Sequence, residues 1–208
     1  MELSEKLKLY LVLETKYLQL PLSDFLENVI KGGVTIVQLR NKSQNLDEKI
    51  KYAYIVREIT AKYNTLFLMN DSIDMAVKVY ADGVHIGIND GNAALIRQNF
   101  KDMIIGYSCN NMEDVEIANK YADYAGIGPF TETYTKKDHR QILGAEGIYK
   151  INNTLKIPAV AIGGINIERA AEALKSGVKG LAVSSFLCKS KTPYDDAKRL
   201  LDIINERI

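Results

Sequence analysis

Five residues at alternate positions, Val34, Ile36, Gln38, Arg40 and Lys42, pass from apolar to cationic along one short stretch. Alternate side chains of an extended chain share a face, so a strand here carries a guanidinium and an ammonium at one end of that face. Inward cations of this kind call for an anion, and a guanidinium fork matches phosphate oxygens well. Two solvated loop charges are the competing reading. Thr35, Val37 and Leu39 occupy the other side as a helix-facing surface, which directs Gln38 and Arg40 toward the interior.

Two carboxylates follow, Asp71 after Asn70 and Asp90 in Gly87-Ile88-Asn89-Asp90. Zinc is a poor match, because the chain has only His85 and His139 and no clustered thiols. One or two carboxylates plus a substrate phosphate is the usual arrangement for Mg²⁺, and Mg²⁺ is the expected cofactor. Either aspartate alone reads equally well as a cap on the helix after it. His85 reads as a structural strand residue, and Cys109 as a small packing residue, since no histidine lies near it in sequence.

Further along, Gly126-Ile127-Gly128-Pro129 opens a long loop through Thr133, Thr135, Lys136 and Lys137. Gly126 and Gly128 would leave inward space, and the hydroxyls with Lys136 could close over a phosphate; a solvated loop is the alternative. Gly163-Gly164 and Val183-Ser184-Ser185 end two later apolar runs. Backbone amides at such adjacent loops form the phosphate site common in barrels. Two anion sites across one mouth would let one enzyme hold two phosphorylated substrates.

Those residues must be positioned by eight apolar runs, starting near Lys8–Leu13, Val34–Leu39, Leu66–Met69, Gly83–Ile86, Met103–Gly106, Ala122–Ile127, Pro158–Ile162 and Lys179–Val183. Helix-period stripes separate them, such as Tyr52, Ile55, Val56, Ile59, Tyr63 and Ala197, Leu200, Leu201, Ile204. Asn166 is placed as an N-cap, and Gly177 as a left-handed residue beyond the same helix. Strand alternating with helix predicts a parallel sheet, and eight units predict a single (β/α)8 TIM barrel over residues 1–208, with its chemistry at the carboxyl ends of the strands. An open doubly wound sheet is the alternative; its glycines usually gather after the first strand, where this chain has Leu13-Glu14-Thr15.

The 27 basic and 26 acidic residues nearly cancel, which points away from nucleic acid and membrane surfaces and toward small-molecule partners. Two cysteines make no disulfide framework, the start of the chain is charged unlike a signal peptide, and no run approaches a bilayer span. A cytoplasmic protein is expected, with a homo-oligomer left open.

In order and spacing, several segments resemble the thiamine-phosphate synthase (thiamine-phosphate pyrophosphorylase) family over nearly the whole chain. They are Gln38-Leu39-Arg40-Asn41-Lys42, Asn70-Asp71, Ala81 to Gly87, Gly106-Tyr107-Ser108, Gly128-Pro129 with Thr133 to Lys136, Ala161 to Ile165, and Ala182-Val183-Ser184. The resemblance implies a transferase of thiamine biosynthesis that joins hydroxymethylpyrimidine diphosphate to hydroxyethylthiazole phosphate, giving thiamine phosphate and pyrophosphate. It implies that Gln38, Arg40, Lys42, Asn70, Ser108 and Lys136 grip the pyrimidine diphosphate, with Asp71 and Asp90 on Mg²⁺. Thr133, Thr135, Gly164, Val183 and Ser184 would line the thiazole-phosphate side, and Arg40, Lys42, Ser108 and Lys136 would serve catalysis. Two positions depart from the family pattern: Asn110 stands where His is frequent, and Ile88 where Gln is frequent. Related thiazole tautomerases use a His in the first segment for proton transfer, which Asn110 cannot perform. The remaining alternative is a non-catalytic barrel that binds thiamine-related phosphates as a regulator.

Overall fold

The computed structural model describes residues 2–132 and 141–207. Its strands are β1 (Leu9–Leu13), β2 (Ile36–Leu39), β3 (Leu66–Asn70), β4 (Gly83–Ile86), β5 (Ile104–Cys109), β6 (Tyr124–Ile127), β7 (Ala159–Ile162) and β8 (Gly180–Val183). All pair in parallel with their neighbours in chain order, and β8 returns to β1 to close the barrel. Closure excludes the open sheet. The eight apolar runs fall on the eight strands; β5 alone continues well past its run, because Ser108 and Cys109 keep pairing with Gly126 and Ile127 of β6.

Ten α-helices are described: α1 (Leu3–Lys6), α2 (Leu22–Lys31), α3 (Leu46–Lys62), α4 (Ile73–Lys78), α5 (Ala93–Asn99), α6 (Met112–Tyr121), α7 (Gly144–Asn152), α8 (Ile167–Leu174), α9 (Ser185–Cys188) and α10 (Pro193–Asn205). The stripes anticipated from sequence lie on α3 and α10, where Val56, Ile59, Ala197, Leu200 and Ile204 are buried. Asn166 caps α8 by accepting from the Arg169 N–H. Gly177 has φ +74° but sits three residues past the last residue of α8, one place beyond the C′ position anticipated.

Strand alternation sorts the core into two layers. Leu9, Leu11, Leu13, Val37 and Leu39 face the helices, whereas Tyr10, Val12, Ile36, Leu68, Tyr124, Val160 and Ala182 fill the barrel interior. Each large apolar side chain fully withdrawn from water contributes about 1.5–3 kcal/mol, so this alternation fixes the register strongly.

At the amino-terminal end of the barrel the same device occurs twice. The Asp82 carboxylate, just before β4, accepts the Phe67 N–H of β3 at 2.7 Å and pairs with Arg57 at 3.1 Å. Asp123, just before β6, accepts the Ile105 N–H of β5 at 2.7 Å and pairs with Arg97 at 2.5 Å. Each satisfies a backbone donor of a buried residue, at the end of the barrel where such features serve stability. Asp123→Ala should therefore cost about 1–3 kcal/mol, the usual penalty for orphaning a buried donor. Urea unfolding checks this, and a change under about 0.5 kcal/mol, typical of ordinary surface sites, would contradict it.

Candidate active site

The carboxyl ends of the strands enclose a cavity lined by Gln38, Arg40, Asn70, His85 and Ser108 on one side and by Gly163, Gly164 and Ser184 on the other. These residues come from β2, β3, β4, β5, β7 and the turn after β8, so a site scattered through the chain converges on one mouth. Gln38 is 3% exposed and Arg40 9%, as the alternation of β2 requires. The alternation stops where β2 ends at Leu39. Lys42 is therefore absent from the cavity lining and lies instead on a neighbouring polar groove with Glu14, Asn41 and Glu48.

At the floor of the cavity, five polar side chains join across the barrel through four hydrogen bonds. The Gln38 Nε2 donates to Tyr10 Oη at 2.6 Å, Tyr10 and Tyr124 share a bond at 2.7 Å, Tyr124 Oη meets His85 Nδ1 at 2.9 Å, and His85 Nε2 meets Ser108 Oγ at 3.0 Å. Burial pushes both tyrosine hydroxyls well above their ordinary value, so both keep their protons. Glycines make room for the rings: a Cβ on Gly106 would fall 2.2 Å from Tyr124 Oη and 2.5 Å from His85 Nδ1. Gly126 likewise faces His85, whereas Gly128 allows close approach to the Ile162 carbonyl of β7. His85, read from sequence as structural, thus lines the cavity and holds Ser108.

Arg40 has an anion already. Its Nη1 donates to Glu14 Oε1 at 2.7 Å, and Glu14 is 2% exposed. Lys16 approaches the second Glu14 oxygen at 3.3 Å. The pair leaves Arg40 Nε buried without a hydrogen-bond partner among the described residues, and Asn41 Nδ2 and Ser184 Oγ are likewise buried without one. Arg40 and Ser184 both line the cavity, and buried polar atoms of this kind normally have a hydrogen-bond partner.

Neither candidate metal carboxylate caps a helix. Ser72 caps α4 and Asn92 caps α5. Asp71 sits above β3 with φ +66°, a conformation aspartate tolerates better than most residues, and its Oδ2 accepts from Lys42 Nζ at 2.6 Å. Asp90 Oδ2 accepts from the Gly87 N–H at 2.9 Å, close to Ser108, above the adjacent strand. Neither lines the cavity itself. Among the described residues no group of three or more His, Cys, Asp or Glu side chains could hold a metal. Two carboxylates after adjacent strands fit Mg²⁺ as an ion that takes most of its ligands from a phosphorylated substrate and water, and would not fit a protein-enclosed metal.

On the opposite side, Gly163 and Gly164 have φ of +103° and +69°, and both need glycine. A Cβ on Gly163 would lie 2.7 Å from the Pro129 Cα, so the pair also lets the chain after β6 pack against it. Ser184 follows β8 with its hydroxyl inward, but Val183 points its side chain into the outer core and can offer only backbone. Thr133, Thr135 and Lys136 lie outside the described residues. Asn110 is held away from the chemistry, its Nδ2 donating to the carbonyls of Gly128 at 2.9 Å and Gln141 at 3.0 Å. Cys109 is buried beside Tyr107 and also borders the cavity, and Cys188 is a free thiol whose burial pushes it up to about 12 and makes it a poor nucleophile. Among the described residues, no helix is long and apolar enough to cross a membrane.

Residues 9–187 match the model of the family described as thiamine monophosphate synthase. The chain is 39% identical to the thiamine-phosphate synthase of Methanococcus vannielii over 100% of both chains, and 39% identical to that of Clostridium novyi over 94% of this chain and 98% of the other. Among solved structures, thiamine phosphate pyrophosphorylase from Pyrococcus furiosus superposes with a TM-score of 0.91 at 35% identity, covering 100% of both chains.

The buried ion pair makes a direct expectation. Glu14→Ala leaves Arg40 without its anion in a nearly closed site, and breaking such a pair by removing one partner typically costs about 3–5 kcal/mol. Denaturant unfolding should register a loss of that order, and inorganic pyrophosphate should restore more stability to the variant than to the parent protein. Equal protection of both would show that Arg40 does not face the bound anion.

Proposed function

The chain belongs to the thiamine monophosphate synthase family and has thiamine-phosphate synthase function, as a transferase; on that premise we propose how its residues carry the reaction. The substrates are hydroxymethylpyrimidine diphosphate and hydroxyethylthiazole phosphate, and the products are thiamine phosphate and pyrophosphate. The observation that carries this reading is the cavity itself, with a cationic wall at Arg40, a backbone-rich wall at Gly164 and Ser184, and an unsatisfied donor on each.

The pyrimidine diphosphate lies against Gln38, Arg40, Asn70 and Ser108, with the charges of Lys42 and Lys136 assigned to its phosphates. The thiazole phosphate lies against Gly164, Ser184 and the Val183 backbone, and Thr133 and Thr135 belong to the same binding set. The C–O bond to the diphosphate breaks with its electron pair leaving on pyrophosphate. The amino group of the electron-rich pyrimidine stabilises the cationic methylene, and the thiazole nitrogen lone pair forms the new C–N bond. That nitrogen carries no proton, so no general base is needed. Catalysis rests on alignment of the two rings and on charge neutralisation at the departing oxygens by Arg40, Lys42 and Lys136. Asp71 and Asp90 would hold Mg²⁺, which when bound supplies further positive charge to the leaving group.

A thiazole tautomerase is disfavoured because Asn110 spends both amide hydrogens on backbone carbonyls and cannot transfer a proton. A regulatory barrel is separated by turnover.

Pyrophosphate release by the purified protein should require both substrates and Mg²⁺. Release with either omitted, or full activity in excess chelator, would overturn the corresponding part of the proposal. Isothermal titration should find Mg²⁺ binding weak alone and strong with the pyrimidine diphosphate, because two carboxylates supply few of the six oxygens the ion takes. Lys136→Ala should lower kcat by roughly 10²–10³, the loss typical of one preorganised charge donor, whereas Lys137→Ala should change little. Equal, small effects would remove Lys136 from the mechanism. Asn110→Ala should retain measurable coupling, and its abolition would reopen a chemical role for that segment.

A further inference from the structure

The line of hydrogen bonds beneath the cavity has a direction. Gln38 Nε2 is the donor to Tyr10 Oη, and the only described acceptor for the Tyr10 proton is Tyr124 Oη. Tyr10 is 1% exposed, so its proton cannot go to bulk water. Having accepted from Tyr10, Tyr124 directs its own proton to His85 Nδ1. The remaining ring nitrogen, Nε2, then carries the imidazole hydrogen and donates to Ser108 Oγ. A serine hydroxyl that accepts from a histidine N–H has its single proton left for another acceptor.

From this geometry we propose that Gln38, Tyr10, Tyr124 and His85 form a one-way hydrogen-bond relay that fixes His85 as the Nε2–H tautomer and turns the Ser108 hydroxyl proton into the cavity as a donor to the pyrimidine diphosphate. The Ser108 contact rests on the function proposed above. Tyr10, Tyr124 and His85 are positioning residues, acting through Ser108.

The fold protects this arrangement. Tyr124 and His85 occupy the space that side chains at Gly106 and Gly126 would fill, and their rings lie 5.6 Å apart at a 40° tilt. Both tyrosine hydroxyls are held in the protonated, donating form by burial. Polar groups sealed in a barrel must satisfy one another, and one fixed donor at the Gln38 end sets the direction of the whole line. The relay thus replaces a freely rotating serine hydroxyl with one whose proton faces the ligand before binding, the preorganisation that an electrostatic donor requires.

The test reads the tautomer directly. Long-range ¹H–¹⁵N correlation spectra of the labelled protein carrying His139→Asn, without substrates, should show the neutral His85 ring with the proton on Nε2. Tyr124→Phe, which keeps the ring and removes the hydroxyl, should convert that single tautomer into a mixture, with circular dichroism as the folding control. A ring protonated on Nδ1 in the otherwise unaltered protein would reverse the relay and overturn the proposal; this measurement needs no relay variant to fold. So would a Tyr124→Phe spectrum that keeps the Nε2–H form unchanged.

Kinetics then link the tautomer to Ser108. Tyr124→Phe should lower kcat about tenfold, the scale of one misdirected hydrogen bond, yet change it less than about twofold in the Ser108→Ala background. Equal losses in both backgrounds would make Tyr124 a space-filling residue and overturn the relay. A protein that shows the Nε2–H tautomer but never couples the two substrates would instead defeat the proposed function and leave the relay standing.

Discussion

Closing eight parallel strands into a barrel turns every second side chain of each strand toward a space that water does not enter freely. In β1, β2, β4 and β6 that inward row is not wholly apolar: Tyr10, Gln38, His85 and Tyr124 stand in it. Each would be costly to bury alone, and together they satisfy one another in a single line that ends at Ser108. The apolar lower interior and the polar mouth are thus two parts of one alternation. Gly106 and Gly126 belong to the same constraint, because larger residues there would displace the rings.

Charge follows a similar economy. A lone buried guanidinium at Arg40 would be prohibitive, and Glu14 from the neighbouring strand end makes it tolerable. The pairing fixes one edge of the fork and leaves Nε without a partner among the described residues. Lys42, one turn of the alternation further on and past the strand end, is more than half exposed and meets Asp71 instead. A strong buried cation and a weaker, exchangeable one therefore stand on the same element at different depths.

The two ends of the barrel divide the labour. Asp82 and Asp123 at the amino-terminal end are occupied by backbone N–H groups and arginines, and they brace strands. At the carboxyl end, Asp71 and Asp90 leave the capping of their helices to Ser72 and Asn92 and meet Lys42 and the Gly87 N–H instead. The two pairs of aspartates thus have different partners, decided by the end of the strand on which each sits.

The linear sequence determined much of this by local rules. Apolar runs of strand length located all eight strands, parity placed Gln38 and Arg40 inside, and Asn166 marked its own helix start, because alternation and capping depend on neighbours in the chain. The spacing of Gln38, Asp71, Ser108 and Ser184 was specific enough to carry a family resemblance. What the sequence alone could not decide was partnership between residues far apart along it. Glu14 as the anion for Arg40, Asn110 as a latch on Gly128 and Gln141, and the line from Gln38 to Ser108 join positions separated by up to 114 residues. The signals were present as inward parity at Tyr10, His85 and Tyr124, but parity names a face and not a partner. Only closure of the barrel set which inward side chains meet. Strand ends also decided what parity could not: Lys42 shares the phase of Arg40 yet leaves the cavity because β2 stops at Leu39.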